Sequence, residues 1–262
     1  MSDLLLEAKD LAKRFPLRSG FFNAAGWLEA VREVHLTIQA GESVGLVGES
    51  GCGKTTLAKI LCRLEPPTRG SVRYRGEEIR TLRGQKLLRF RRKVQLIFQD
   101  PMSSLDPLMR IGQIVAEPLV IHRLAKGQHL LHRVHTLLAE VGLDPSWKNR
   151  FPHTLSGGQR QRVGIARALG LDPELLICDE PVSSLDLSVQ SQILKLLTDL
   201  QAKRGLSLLF ISHNLAVVSA LADRILVMRE GRIVEEGTNP HLFENPRDPY
   251  TRTLVNLALK TL

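Results

Sequence analysis

The sequence predicts an α/β fold in which a mostly parallel sheet is covered by helices on both faces. Three observations predict it. The apolar runs Ser43–Val47, Leu175–Cys178 and Leu206–Ser212 have the length and composition of buried strands. Each is followed by a stretch with helical spacing, at Thr55–Cys62, Ser188–Ala202 and Leu215–Ala222. The first of these joints carries Gly48-Glu49-Ser50-Gly51-Cys52-Gly53-Lys54-Thr55, which fits G-x-x-x-x-G-K-[ST] in the strand–loop–helix context that pattern needs.

The remaining elements follow in order. Leu4–Leu11 reads as a short strand with a polar end. Glu29–Ile38 contains a second strand, with Val34, Leu36 and Ile38 alternating onto one face. Between them, Pro16–Trp27 has no period and is expected to be a surface insertion. Gly70–Ile79 suggests a further hairpin strand and Lys93–Phe98 a core strand. From Ile111 to Val141 the pattern is helical, with Leu130, Leu131, Val134, Leu137, Leu138 and Val141 on one stripe. A new helix opens in Leu155-Ser156-Gly157-Gly158-Gln159. Asp223–Met228 and Arg232–Glu236 look like closing strands, and Asn245–Tyr250 is a turn-rich start to a last short helix. The chain is therefore expected to have one α/β core drawn from both halves of the sequence, with a helical lobe inserted between them.

Bulk composition excludes several classes. With 43% hydrophobic and 24% charged residues the chain is ordinary for a globular protein. Its apolar runs fall short of the roughly 18 residues a spanning helix needs. Its first residues do not resemble a secretory leader, so a cytosolic location is expected. Cys52, Cys62 and Cys178 form no C-x-x-C pair, which argues against a structural zinc or a disulfide framework. The net charge of +9 concentrates around Arg80, Arg83, Lys86, Arg89, Arg91, Arg92 and Lys93. Aromatic residues are only 5% and no nucleic-acid motif accompanies the charge, which leaves a solvated basic face or one turned to anionic headgroups.

The chemistry is concentrated at a few positions. Gly48, Gly51 and Gly53 let backbone N–H groups approach a chain of phosphates at a helix N-terminus. Glu49, Ser50, Cys52 and Thr56 complete that loop, Lys54 is placed for the β- and γ-phosphates, and the Thr55 hydroxyl for Mg²⁺. Asp179 leaves a buried strand where a carboxylate can hold the magnesium ion, and Glu180 follows where a base can polarise water. Ser156 opens a helix and so makes a second anion-binding end.

With Leu155–Gln159 lying between the phosphate loop and Asp179-Glu180, the chain resembles the ATP-binding subunits of ABC transporters, from Leu4 to about Glu236. The resemblance implies a P-loop NTPase (RecA-like) core, about 4–102 and 161–240, an inserted helical lobe at about 103–160, and an N-terminal antiparallel β-subdomain; residues 241–262 form a short C-terminal segment. It implies ATP and Mg²⁺ as ligands, and two ATP molecules sandwiched between two chains. Glu180 would be the catalytic carboxylate, Gln99 a magnesium and water contact in the Q-loop, and His213 the switch residue on the γ-phosphate. Leu155, Ser156, Gly157, Gly158 and Gln159 would contact the ATP of the partner subunit, and Ser183, Ser184, Leu185 and Asp186 would form the D-loop at the dimer interface. Asn214 departs from the Asp common there. Phe15 is the candidate to stack on adenine, with Phe21, Phe22 or Trp27 as substitutes.

Within the family, three segments resemble the oligopeptide, dipeptide and nickel importer branch. They are Lys13-Arg14-Phe15-Pro16 with the insertion after it, Phe98–Pro107, and Asn245–Thr251 with Asp248 where the branch has His. The resemblance implies a peripheral subunit at the cytoplasmic face of the membrane. Its partners would be a second, different ATPase, two permeases and an extracytoplasmic substrate-binding protein, with no nucleic acid. Having no cysteine after Cys178, the chain is expected to carry no iron–sulfur cluster. An exporter or lipid extractor, or a soluble member of the family, is the alternative.

Overall fold

The computed structural model describes residues 3–19, 23–99 and 104–259. In chain order the elements are β1 (Leu4–Ser19), β2 (Asn23–Gln39), β3 (Ser43–Val47), α1 (Lys54–Leu61), β4 (Arg69–Tyr74), β5 (Glu77–Glu78), α2 (Gly84–Lys93) and β6 (Val94–Ile97). Then come α3 (Ile111–Ile121), α4 (Gly127–Glu140), α5 (Gly157–Leu169), β7 (Leu175–Asp179), α6 (Leu187–Arg204) and β8 (Ser207–Ser212). The chain closes with α7 (Leu215–Ser219), β9 (Arg224–Arg229), β10 (Arg232–Thr238), α8 (Asn239–Glu244) and α9 (Pro249–Leu259). They divide into two units, residues 1–87 with 207–262, and residues 88–206.

In the first unit β3 is paired in parallel with β8 on one side and β9 on the other, and β10 adds antiparallel to β9. Both β3 and β8 are buried along their whole length, as their unbroken apolar composition requires. The register pairs Val47 with Ser212 and with Val227, so the phosphate loop and the turn after β8 leave the sheet at one level. A second sheet, β2-β1-β4-β5, is antiparallel throughout. Its apolar positions Leu6, Leu11, Val34 and Ile38 are fully buried.

The expected surface insertion at Pro16–Trp27 is corrected here. β1 and β2 stay paired beyond it, with Pro16 opposite Trp27 and Leu17 opposite Gly26, so most of the segment is the outer part of one long hairpin. No alternation announces it, because register shifts interrupt β1. Leu17, Trp27 and Leu28 are 46%, 63% and 52% exposed. Phe21 and Phe22 lie outside the described residues, as do Asp100 to Ser103.

In the second unit β6 and β7 pair in parallel, with Ile97 opposite Cys178. The stretch from Ile111 to Val141, helical in its pattern, forms two helices. Arg123 takes φ +54° and ends α3, with Leu124 N–H bonded back to the Leu119 carbonyl, before α4 begins at Gly127. Helix α2 carries no apolar stripe to reveal it, since Phe90 is its single buried residue.

Helices α4 and α6 are tied by charge. Arg204 donates to both carboxylate oxygens of Glu140, at 2.8 and 2.5 Å, and reaches Asp172 at 3.2 Å. The guanidinium hydrogen bonds hold the Glu140 carboxyl below its usual value of about 4.5. A depressed carboxylate stabilises the fold above that value and loses its contribution as pH falls through the folded-state pKa. Arg204→Ala is thus expected to cost about 1–2 kcal/mol at neutral pH, between exposed and buried ion-pair values. The difference from the parent should shrink below pH 4.5, as thermal unfolding across a pH series will show.

Candidate active site

The phosphate loop is shaped by what glycine avoids. A Cβ on Gly48 would stand 2.1 Å from the Met228 carbonyl oxygen, and one on Gly53 would stand 2.0 Å from that of Ala30. Gly53 also sits at φ +112°, open to glycine, and as N-cap it supplies no side chain to the first turn of α1. The N-cap thus contributes no side-chain oxygen, and a helix N-terminus of this kind suits an anion. Neighbouring backbone fixes the loop, with Gly231 N–H bonded to Cys52 O at 2.9 Å and Cys52 N–H to Glu49 O at 3.3 Å. Lys54 is buried, and its ammonium donates to the Gly48 and Glu49 carbonyls at 2.7 and 2.9 Å. Ser50 and Thr55 are exposed and Thr56 is half-buried. Burial pushes the Cys52 thiol up, against the opposing charge of Lys54, so at neutral pH it is an unreactive thiol rather than a thiolate.

His213 follows β8 directly and is exposed. Asn214 caps α7, its side-chain oxygen accepting from Ala216 N–H at 2.9 Å and Val217 N–H at 3.4 Å. An Asp would cap in the same way, so the departure from the family pattern costs the turn nothing. Phe15 is opposite Leu28 on the hairpin, and the Lys13 ammonium lies 5.0 Å from its ring centroid.

The second unit holds the acidic residues. Asp179, the last residue of β7, is 3% exposed, and Glu180 is 8% exposed. Burial beside Asp179 pushes the Cys178 thiol up to about 12. Glu180 has φ +45°, a left-handed conformation that costs a non-glycine residue about 1–3 kcal/mol and recurs at functional sites. Its carbonyl accepts from the Ser183 amide at 3.4 Å and the Ser183 hydroxyl at 3.2 Å, which secures the turn. The parallel register of β6 and β7 brings Gln99 beside it, and Gln99 Nε2 donates to Glu180 Oε2 at 3.3 Å.

Ser156 is the N-cap of α5 in a capping box. The Gln159 N–H donates to Ser156 Oγ at 3.3 Å, and the Ser156 N–H to Gln159 Oε1 at 2.9 Å. Leu155 is buried and anchors the turn. A Cβ on Gly158 would meet Val189 Cγ1 at 2.3 Å, and one on Gly157 would meet Leu185 Cδ2 at 3.0 Å. Gly158 is therefore held to glycine by its packing against the start of α6, while Gly157 sits in tight but yielding contact with Leu185. Ser183, Ser184 and Asp186 are exposed.

One contact was not legible in the sequence. The Glu49 N–H donates to the hydroxyl of Tyr250, 201 positions away, at 2.9 Å. The turn-rich Asn245–Tyr250 segment signalled a helix start, but nothing in it pointed to the phosphate loop.

The ABC transporter family model matches residues 31–183. A probable peptide ABC transporter ATP-binding protein of Sinorhizobium fredii is 48% identical over 98% of this chain and 73% of its own length. The dipeptide transport ATP-binding protein of Escherichia coli is 44% identical over 96% of this chain and 75% of its own. Among solved structures, a dimeric ATP-binding cassette in a post-hydrolysis state bound to ADP and Pi is 29% identical, with a TM-score of 0.79, over 90% of this chain and 99% of that one. These likenesses agree with the phosphate loop, the Asp179-Glu180 strand end and the capped Ser156 helix: the chain belongs to the ABC transporter family, as one of its ATP-binding, ATP-hydrolysing subunits.

Proposed function

We propose that this chain powers the import of short peptides, closing with a second cassette around two ATP molecules beneath a pair of membrane permeases. The observation that carries the substrate class is the near-full-length likeness to subunits named for peptide and dipeptide transport. Nickel and metal chelates, which the resemblance to the branch also allows, are the alternative cargo.

Lys54 and the N–H groups that open α1 neutralise the phosphates. Glu180 accepts a proton from the attacking water, Gln99 holds the Glu180 carboxylate in place, and His213 orients the water against the γ-phosphate. Ser156 and the first turn of α5 serve the ATP held by the partner cassette, so one chain alone turns over slowly. Phe15 is assigned to adenine. Thr55, in the first unit, and Gln99 and Asp179, in the second, each carry an oxygen donor of the kind a small hard dication takes. These donors fit magnesium, which when bound supplies positive charge to the phosphates.

No helix among the described residues is long and apolar enough to cross a membrane. Capture of the tagged chain from its native membranes is the test. Recovery of two multi-spanning permeases and a second ATPase is expected. Recovery of ribosomal or repair proteins, without a permease, would overturn the reading.

A further inference from the structure

The start of α9 is pinned from several sides. Glu235 of β10 accepts the Arg247 N–H at 2.8 Å and the Asp248 N–H at 2.9 Å, one on each carboxylate oxygen. Asp248, standing where the branch has His, accepts the Tyr250 N–H at 2.8 Å and so caps the helix. The Arg229 guanidinium lies 5.1 Å from the centroid of the Tyr250 ring. With Tyr250 only 7% exposed, its phenol is fixed in direction, and its oxygen takes the Glu49 N–H.

That N–H belongs to the same peptide group as the Gly48 carbonyl, which accepts from Lys54. A peptide unit is planar, so its N–H and C=O turn together. The Gly48–Glu49 peptide is therefore gripped at both ends, by Tyr250 at its N–H and by Lys54 at its carbonyl. A Glu49 amide without the phenol would be free to turn. The carbonyl that aligns the Lys54 ammonium would turn with it, and nucleotide binding would then bear the cost of ordering both.

We propose that Tyr250 is a positioning residue of the phosphate loop, coupling the C-terminal helix to nucleotide affinity through the Gly48–Glu49 peptide. The proposal rests on the reading that this loop holds ATP. It concerns ground-state alignment, so the effect falls on binding rather than on the chemical step.

The test compares Mg-ATP dissociation constants and steady-state kinetics of the parent chain, Tyr250→Phe and Asn256→Ala. Phe keeps the ring and loses the acceptor oxygen, while Asn256 is exposed on the same helix. Tyr250→Phe is expected to weaken ATP binding about three- to tenfold, the worth of one hydrogen bond. KM should rise in step, kcat should hold within about twofold, and Asn256→Ala should match the parent. Unchanged affinity in Tyr250→Phe, or an equal loss in Asn256→Ala, would overturn the proposal. A fall in kcat at constant KM would do the same. If the parent chain itself fails to bind ATP, the failure lies with the loop's assignment, and the proposal goes with it.

Discussion

Glu180→Gln is expected to cut ATP turnover by about 10²–10⁴-fold, the usual contribution of a positioned general base. The amide is nearly isosteric, so the left-handed turn at residue 180 and its bonds from Ser183 persist. What is lost is the basic oxygen that Gln99 now holds at 3.3 Å. ATP binding should stay within about twofold of the parent, because the role proposed for Glu180 is on the attacking water and not on the phosphates. With hydrolysis blocked, the two-chain, two-ATP form should accumulate and be seen by sizing in the presence of ATP. Turnover within a few-fold of the parent would remove Glu180 as the catalytic carboxylate.

Gly53→Ala is expected to abolish detectable ATP binding. Its Cβ would sit 2.0 Å from the Ala30 carbonyl oxygen, and φ +112° lies outside the space alanine occupies. The β2 backbone and the start of α1 must separate by more than 1 Å to admit it, which misplaces the first-turn N–H groups and Lys54 together. Gly51→Ala is the informative contrast. Gly51 has φ +83°, yet nothing lies within 4 Å of its Cβ position, so the substitution strains the turn by about 1–2 kcal/mol without a collision. It should leave measurable binding. Equal loss in both would mean that torsion, not contact with Ala30, controls the loop.

Elements that combine an unbroken apolar run with full burial were readable from the chain. Strands β3, β7 and β8 fall within a residue or two of their predicted spans, and α1 follows the phosphate loop as its motif requires. What periodicity could not show was structure without a covered face. The outer hairpin from Pro16 to Trp27 is held by backbone pairing while Leu17 and Trp27 stay exposed, so no alternation marks it. Helix α2 buries only Phe90, and α3 ends at Arg123, whose φ of +54° nothing in the sequence announces. At the site, motifs located the loop, Asp179, Glu180 and the Ser156 helix because each chemistry needs its residues adjacent in sequence. The Tyr250 contact was invisible for the opposite reason: it joins residues 201 positions apart, and the chain between them gives no sign of the meeting.

The most direct test of the account is uptake of a labelled tripeptide by cells in which this chain's gene is deleted and then restored as parent or Glu180→Gln. The account predicts that the parent restores uptake. The variant should restore none, although it is made in equal amount and recovered with the permeases. Uptake that survives the deletion unchanged, or that the variant restores in full, would contradict a peptide importer driven by this subunit.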